Sequence, residues 1–196
     1  MRAASQLAGR DEIDVLLLPG ERVFWRGKPD VWTYSMRGAW YLIPFSLVWG
    51  GFAISWEVSV LTSGAGPFFA IWGIPFVLIG LYLIFGRIFV ARREAERTVY
   101  AVTSRRILIL GGAFSRKTIE LDLTQLPPSQ LEVGSRGMGT ITFGVPVGGF
   151  RPPPGWPTMG SVVPVPTFAS VPDAASVYRV VQDARAAAAQ SDGFRP

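Results

Sequence analysis

Seven basic side chains carry the most chemistry that the sequence sets in a pattern. Arg92, Arg93 and Arg97 form one run, Arg105 and Arg106 follow a strand-like segment, and Arg116 and Lys117 precede the next one. Such groups recognise anions. A guanidinium offers a planar fork of donors to phosphate or carboxylate, and an ammonium offers a compact point charge. A lipid headgroup or an acidic protein surface would suit them. For Arg105, Arg106, Arg116 and Lys117 a solvated surface is the plainer account, and a ligand or partner contact is the sharper one.

Other chemistry is scarce. The 196 residues include no histidine and no cysteine. This removes the commonest general base, the commonest transition-metal ligand and all thiol and disulfide chemistry. The only lysines are Lys28 and Lys117, and neither stands in a nucleophile motif. Glu120 and Asp122 are two apart in an alternating segment, so they share its polar face, where solvation explains them. No carboxylates have metal-ligand spacing. The glycine-rich segment 134–139 (GSRGMG) lacks the Gly-Lys-Ser/Thr ending of a phosphate-binding loop and precedes a strand pattern, so it reads as a hairpin turn. Segment 151–157 (RPPPGWP) could enter an aromatic-lined groove as polyproline, but a stiff loop is the simpler reading. The chain is therefore expected to be no enzyme and to need no metal and no cofactor. Its scattered basic residues also argue against nucleic-acid binding.

Hydrophobicity shows which elements position these groups. Apolar residues make up 49% of the chain and charged ones 17%, where soluble domains carry roughly 25% charged. The excess is local. Residues 39–86 contain a single charge, Glu57. They divide into apolar runs 39–60 and 67–86 around a break, LTSGAG, at 61–66. Crossing a hydrocarbon core of about 30 Å takes roughly 20 helical residues, so each run can span a membrane. Trp40, Tyr41 and Trp56 sit near the expected interfaces, where amphipathic rings favour the headgroup zone. Pro44 and Pro75 are tolerable as membrane kinks. Ser46 and Gly50, and Gly73 and Gly80, have spacings that allow two helix backbones to approach closely. Glu57 reads as an interfacial residue near the turn. The polar start of the chain, ahead of the first run, does not resemble a cleaved signal peptide.

The flanks give a direction. Arg2, Arg10, Arg22, Arg26, Lys28 and Arg37 precede the hairpin, Arg87, Arg92, Arg93 and Arg97 follow it, and the break holds none. Basic flanks stay cytoplasmic during insertion. The sequence thus predicts a multi-pass membrane protein with both termini cytoplasmic and the turn outside. Each arginine beside an anionic leaflet adds up to about 1 kcal/mol of attraction. Glu94 and Glu96 offset part of this, which makes the run an anchor rather than a strong lipid trap.

After the hairpin the texture becomes β. Segments 98–103 (TVYAVT) and 106–110 (RILIL) are short and rich in β-formers. Segments 119–123, 130–133 and 140–143 alternate, which marks strands with one wet face. Residues 144–166 hold seven prolines and five glycines and read as a long loop, with an edge strand around Val162, Val163, Val165 and Phe168. Ser170 is the expected cap of a final helix, and Val177, Val181, Ala184 and Ala188 form its apolar stripe.

The order of these pieces carries a resemblance. GERVFWRGKPD at 20–30 precedes the hairpin, and TVYAVTSRRILILGG, IELDL, GSRGMGTITFG, FASVPD and SVYRVV follow it. The sequence resembles bacterial membrane-anchored proteins that carry a pleckstrin-homology-like domain, over about residues 20–190. The resemblance implies an α+β membrane protein with a bent seven-stranded β-barrel capped by the C-terminal helix. Residues 22–26 would supply its seventh strand, ahead of the hairpin. In eukaryotic relatives, basic residues in the strand-connecting loops hold phosphoinositide headgroups. The expected organisation is an N-terminal segment 1–38, a hairpin 39–86 and a pleckstrin-homology-like domain 94–190. The expected function is a membrane-anchored binding module that presents a cytoplasmic surface to a protein partner or lipid headgroup. Its rival is an accessory subunit of a larger membrane complex in which the hairpin is the working part. Homo-oligomers are among the assemblies the sequence allows.

Overall fold

Strand β1 (Val23–Gly27) precedes the apolar hairpin in sequence but pairs with a strand that follows it. In a computed structural model that describes residues 12–134, 137–145, 154 and 165–192, β1 lies antiparallel to β2 (Val99–Thr103), with Trp25 opposite Val102 and Gly27 opposite Tyr100. The whole hairpin is thus an insertion between two neighbouring strands. β3 (Arg106–Gly111) and β4 (Lys117–Asp122) complete an antiparallel sheet of order β1-β2-β3-β4. A second antiparallel sheet has the order β5 (Ser129–Val133), β6 (Gly139–Phe143), β7 (Thr167–Val171).

The helices are the short α1 (Val31–Ser35), α2 (Ala39–Thr62), α3 and the C-terminal α4 (Ala174–Asp192). α3 is one continuous helix, Pro67–Arg97. It begins with Pro67 at a position where the missing N–H costs nothing. It widens into a π-helical turn at Tyr82–Gly86 and continues as Arg87–Arg97. The chain is α+β, and α2 and α3 are both long and apolar enough to cross a membrane.

Both sheets and α4 contribute to one core. Tyr100, Val102, Ile107, Ile109, Ile141, Phe143, Phe168 and Val171 meet Val177, Val181, Ala184 and Ala188 there. The last four are the stripe expected from helical spacing. Strands β2 and β3 are buried on both faces, which explains why their sequences do not alternate. Their second face is covered by Ile13, Leu16, Leu17 and Val23, packed on Val99, Ala101, Leu108 and Leu110.

Two expectations are corrected. Ser170 does not cap the final helix. It belongs to β7, which runs on to Val171 because Phe168 and Val171 fill the core. The helix starts at Ala174, and the Asp173 carbonyl accepts from the N–H groups of Ser176 and Val177. Glu57 also does not simply face the interface at the turn. It lies inside α2, its carboxyl turned onto Gly73 of α3, and Oε2 is buried without a hydrogen-bond partner. Of the expected edge strand, Phe168 lies in β7, at the edge of its sheet, and Val165 just precedes it, while Val162, Val163 and most of the proline-rich stretch fall outside the described residues.

The hairpin packs through its small residues. Ser46, Gly50 and Ala53 of α2 and Gly73 and Gly80 of α3 are buried, while most large apolar side chains face outward. A Cβ on Gly80 would stand 3.0 Å from the Gly50 Cα. The neighbour there is backbone and cannot swing away. Gly80→Leu is expected to destabilise the helix pair by about 2 kcal/mol. Gly51→Leu, which meets open space on the same hairpin, should leave it unchanged. Unfolding both variants in mixed detergent micelles checks the contrast.

Candidate functional site

The seven basic residues divide between the two ends of β3. Four gather where α3 meets the β3–β4 turn, and Arg92 lies one residue before them on α3. Arg93 Nε and Arg97 Nη1 donate to the Ala113 carbonyl at 3.2 and 3.1 Å. Arg116 donates to the Arg97 carbonyl and to the carboxylate of Glu12. Lys117 opens β4 and is exposed. Arg92 is exposed on α3, with its guanidinium carbon 5.8 Å from the centroid of the Trp32 ring. That distance suits a cation–π contact. The sequence offers local reasons for the cluster: a helix ends at Arg97, and Gly111-Gly112 permits a tight turn. Gly112 has φ +119, and a Cβ there would collide with the Ser115 carbonyl.

Lys28 joins this cluster, although no motif marked it. Burial pulls its ammonium below the usual range, with the Arg116 charge adding to that and Glu12 opposing it. The group therefore has Glu12 as its internal counter-charge. Arg92, Arg93, Arg116 and Lys117 are all exposed.

Arg105 and Arg106 lie at the other end of β3, roughly 20 Å away at about 3.3 Å per strand residue. Arg105 is exposed at the β2–β3 turn. Arg106 is committed within the fold. Its Nε and Nη2 each donate at 3.1 Å to the Glu21 carboxylate, Nη1 donates to Glu120 at 2.5 Å, and Nη2 also donates to the Leu16 carbonyl at 2.6 Å. The Glu21 side chain is fully shielded from solvent. Thr103 Oγ1 donates to Glu21 at 2.7 Å, and the Leu18 N–H donates at 2.8 Å. Arg106 is therefore a clasp that fastens the N-terminal segment over the outer face of β2 and β3. Nothing in the local sequence marks Glu21 as its partner, because the pair is separated by 85 residues.

Burial alone would raise the Glu21 pKa. The hydrogen bonds from Arg106, Thr103 and Leu18, with the Arg106 charge, outweigh it and hold the carboxyl below its usual value. A depressed folded-state pKa gives stability that is present above the unfolded value, about 4.3 for a glutamate, and lost as pH falls through the folded one. The N-terminal segment is thus expected to come loose in acid below about pH 4. Hydrogen exchange at Ile13, Leu16 and Leu17, measured between neutral pH and pH 3, reads this directly. Glu21→Gln should flatten the dependence.

A second polar cluster joins hairpin and sheets. Tyr34 of α1 is buried and hydrogen-bonded to Glu94 of α3, and burial together with the Glu94 charge pushes its phenol well up. The Tyr100 hydroxyl accepts from the Ala169 N–H at 3.1 Å, and burial raises its pKa too. Arg37 lies near enough to act on both phenols. The Asp30 side chain caps α1 through the Thr33 N–H, and the Asp30 N–H donates to Ser170 of β7. These contacts fix the base of the hairpin against both sheets.

Comparison with known proteins adds one relative and no family. The chain is 26% identical over 181 residues to a Rhodobacter capsulatus protein named as an uncharacterized 23.7 kDa protein in the puhA 5′ region, covering 84% of this chain and 79% of the relative. No protein-family model matches, and no solved structure matches with significance.

Proposed function

We propose that the chain is a membrane-anchored binding module. α2 and α3 cross a bacterial inner membrane, and the two sheets with α4 form a pleckstrin-homology-like unit that presents a cytoplasmic surface to an acidic protein partner. The β1–β2 pairing carries the reading. Adjacent strands that flank a hairpin require both of its ends to lie on one side of the membrane. The basic residues on those ends make that side cytoplasmic. The partner-facing surface is the exposed Arg92, Arg93, Arg116 and Lys117, with the half-buried Arg97 behind them. Anionic headgroups of the adjacent leaflet are the other ligand this charge would attract.

The absence of native cysteine makes the topology simple to test. Ser63→Cys, in the turn between the helices, should react with a membrane-impermeant maleimide in intact cells. Ser115→Cys should react only after permeabilisation. The reverse pattern would invert the anchor. For the partner, the full chain in mild detergent is expected to co-purify a protein, and Arg92→Glu with Lys117→Glu should cut capture about tenfold. The rival reading, a hairpin working inside a larger membrane complex, draws on the buried Glu57 carboxyl and the outward Trp72 and Phe76. It gains if capture survives the charge reversals and falls with Trp72→Ala and Phe76→Ala.

A further inference from the structure

We propose that Arg87 is the seat of a phosphate site for one anionic phospholipid of the cytoplasmic leaflet, at the base of the hairpin. The inference rests on the membrane reading above.

Arg87 is the largest fully buried side chain among the described residues, at 1% exposure, and its Nε and Nη1 have no hydrogen-bond partner. Among the described residues no carboxylate forms an ion pair with it. Its electrostatic neighbours are Tyr41 and Tyr82, which are neutral hydroxyls. A guanidinium cannot shed its proton to escape burial, and a buried charge with no partner costs several kcal/mol. The counter-ion must therefore come from outside the fold.

The helix register says where Arg87 lies. Gly80 stands against Gly50, and seven residues toward the Thr62 end Gly73 stands against Glu57. Continuing the register seven residues the other way sets Arg87 level with Ile43. Gly50 is close to the middle of the 24-residue α2. At about 1.5 Å per residue Arg87 is then about 10 Å from the midplane, some 5 Å inside the edge of a hydrocarbon core about 30 Å thick. That is too deep for bulk water and shallow enough for a headgroup phosphate drawn inward.

The surroundings form a cradle. The Tyr82 ring lies on Gly86, where a Cβ would come within 2.6 Å of it, and the Tyr41 hydroxyl lies by Gly38, within 2.9 Å of such a Cβ. Glycine at both positions leaves room for the two phenols, which lie near enough to act electrostatically on the arginine. The π-helical turn Tyr82–Gly86 ends directly before Arg87, and such widened turns recur at functional sites. Tyr41 is 38% exposed, so turning its ring aside opens the guanidinium to the headgroup layer. The fork of Arg87 and the Tyr41 hydroxyl match a phosphodiester monoanion. A zwitterionic headgroup would bring its own ammonium beside the arginine and bind less well.

The full chain is reconstituted in phosphatidylcholine nanodiscs with a minor fraction of phosphatidylglycerol, and retained lipid is counted by native mass spectrometry. One phosphatidylglycerol should stay bound, and excess inorganic phosphate should not displace it. Arg87→Met should weaken retention about tenfold, with Arg87→Lys between the two, and Tyr41→Phe should weaken it about threefold at unchanged circular dichroism. Tyr41→Phe keeps the test decisive if Arg87→Met does not fold. Equal retention of the two lipids, retention unaffected by both variants, or displacement by inorganic phosphate would each overturn the proposal. Carbonate extraction of native membranes separates the failures. A chain that is extracted defeats the membrane reading itself, whereas a chain that stays but holds no selected lipid defeats only the Arg87 site.

Discussion

Phe168→Ala is expected to destabilise the β unit by about 4 kcal/mol. The side chain is completely buried. Its ring centroid lies 4.7 Å from Tyr100, 5.1 Å from Phe143 and 5.7 Å from Trp25. Those partners belong to β2, β6 and β1, so a single ring on β7 bridges both sheets and reaches the strand on the far side of the hairpin. Deleting it removes the transfer free energy of the phenyl group and leaves a cavity walled by side chains of three other strands. The walls cannot easily collapse, because Tyr100 is held by its bond to the Ala169 N–H. Phe168→Leu keeps most of the volume and should cost about 1 kcal/mol. Near-UV circular dichroism of the full chain during denaturation in mild detergent measures both. A loss below 1 kcal/mol for the alanine variant would mean that the two sheets are held together elsewhere. Because β1 relies on this ring, the same variant should raise hydrogen exchange at Phe24 and Arg26 before the hairpin changes.

How far the sequence revealed this molecule depends on how local the cause was. α4 was legible because Val177, Val181, Ala184 and Ala188 cover a core while their neighbours stay wet. β4 and β5 alternate for the same reason. The hairpin was legible in composition, and its buried small residues were legible in spacing. The limits of β2 and β3 were harder, since burial on both faces erases the alternation. The pairing of β1 with β2 could not come from periodicity at all, because the partner lies across the hairpin; only the resemblance suggested it. The π-helical turn left no readable mark. Among the candidate site residues, Arg93, Arg97, Arg116 and Lys117 converge because the end of α3 meets the β3–β4 turn, while Arg92 turns to Trp32 of α1. Arg105 and Arg106 looked equivalent in sequence but sit at the opposite end of β3. Arg106 is withdrawn from ligand duty by Glu21, a partner visible only once the chain has folded. Arg87 read as one more flanking charge. What distinguishes it is burial without a counter-ion among the described residues, near the Tyr41 and Tyr82 phenols, which composition does not record.

The clasp itself supports the last prediction. Arg106→Met should destabilise the fold by about 3 kcal/mol, more than an exposed ion pair could. The reason is asymmetry. Arg106 is 15% exposed and Glu21 is fully shielded, so removing the cation leaves a carboxylate in the interior with only Thr103 and the Leu18 N–H to answer it. Burial, which raises the Glu21 pKa, would then lose its main opposition, so the variant should lose less stability in mild acid than the native chain does. Glu21→Gln alone should cost less, because Arg106 keeps Glu120 and the Leu16 carbonyl and can turn toward water. The combined variant should recover part of the loss, since it buries no unpaired charge. A coupling near 2 kcal/mol in this cycle marks a direct pair. Strict additivity would show instead that the N-terminal segment is held by its apolar contacts alone, through Ile13, Leu16 and Leu17. Those contacts fix where the segment lies, and the clasp fixes its register on the sheet. Melting of the four proteins in the same detergent, at neutral and mildly acidic pH, distinguishes the two.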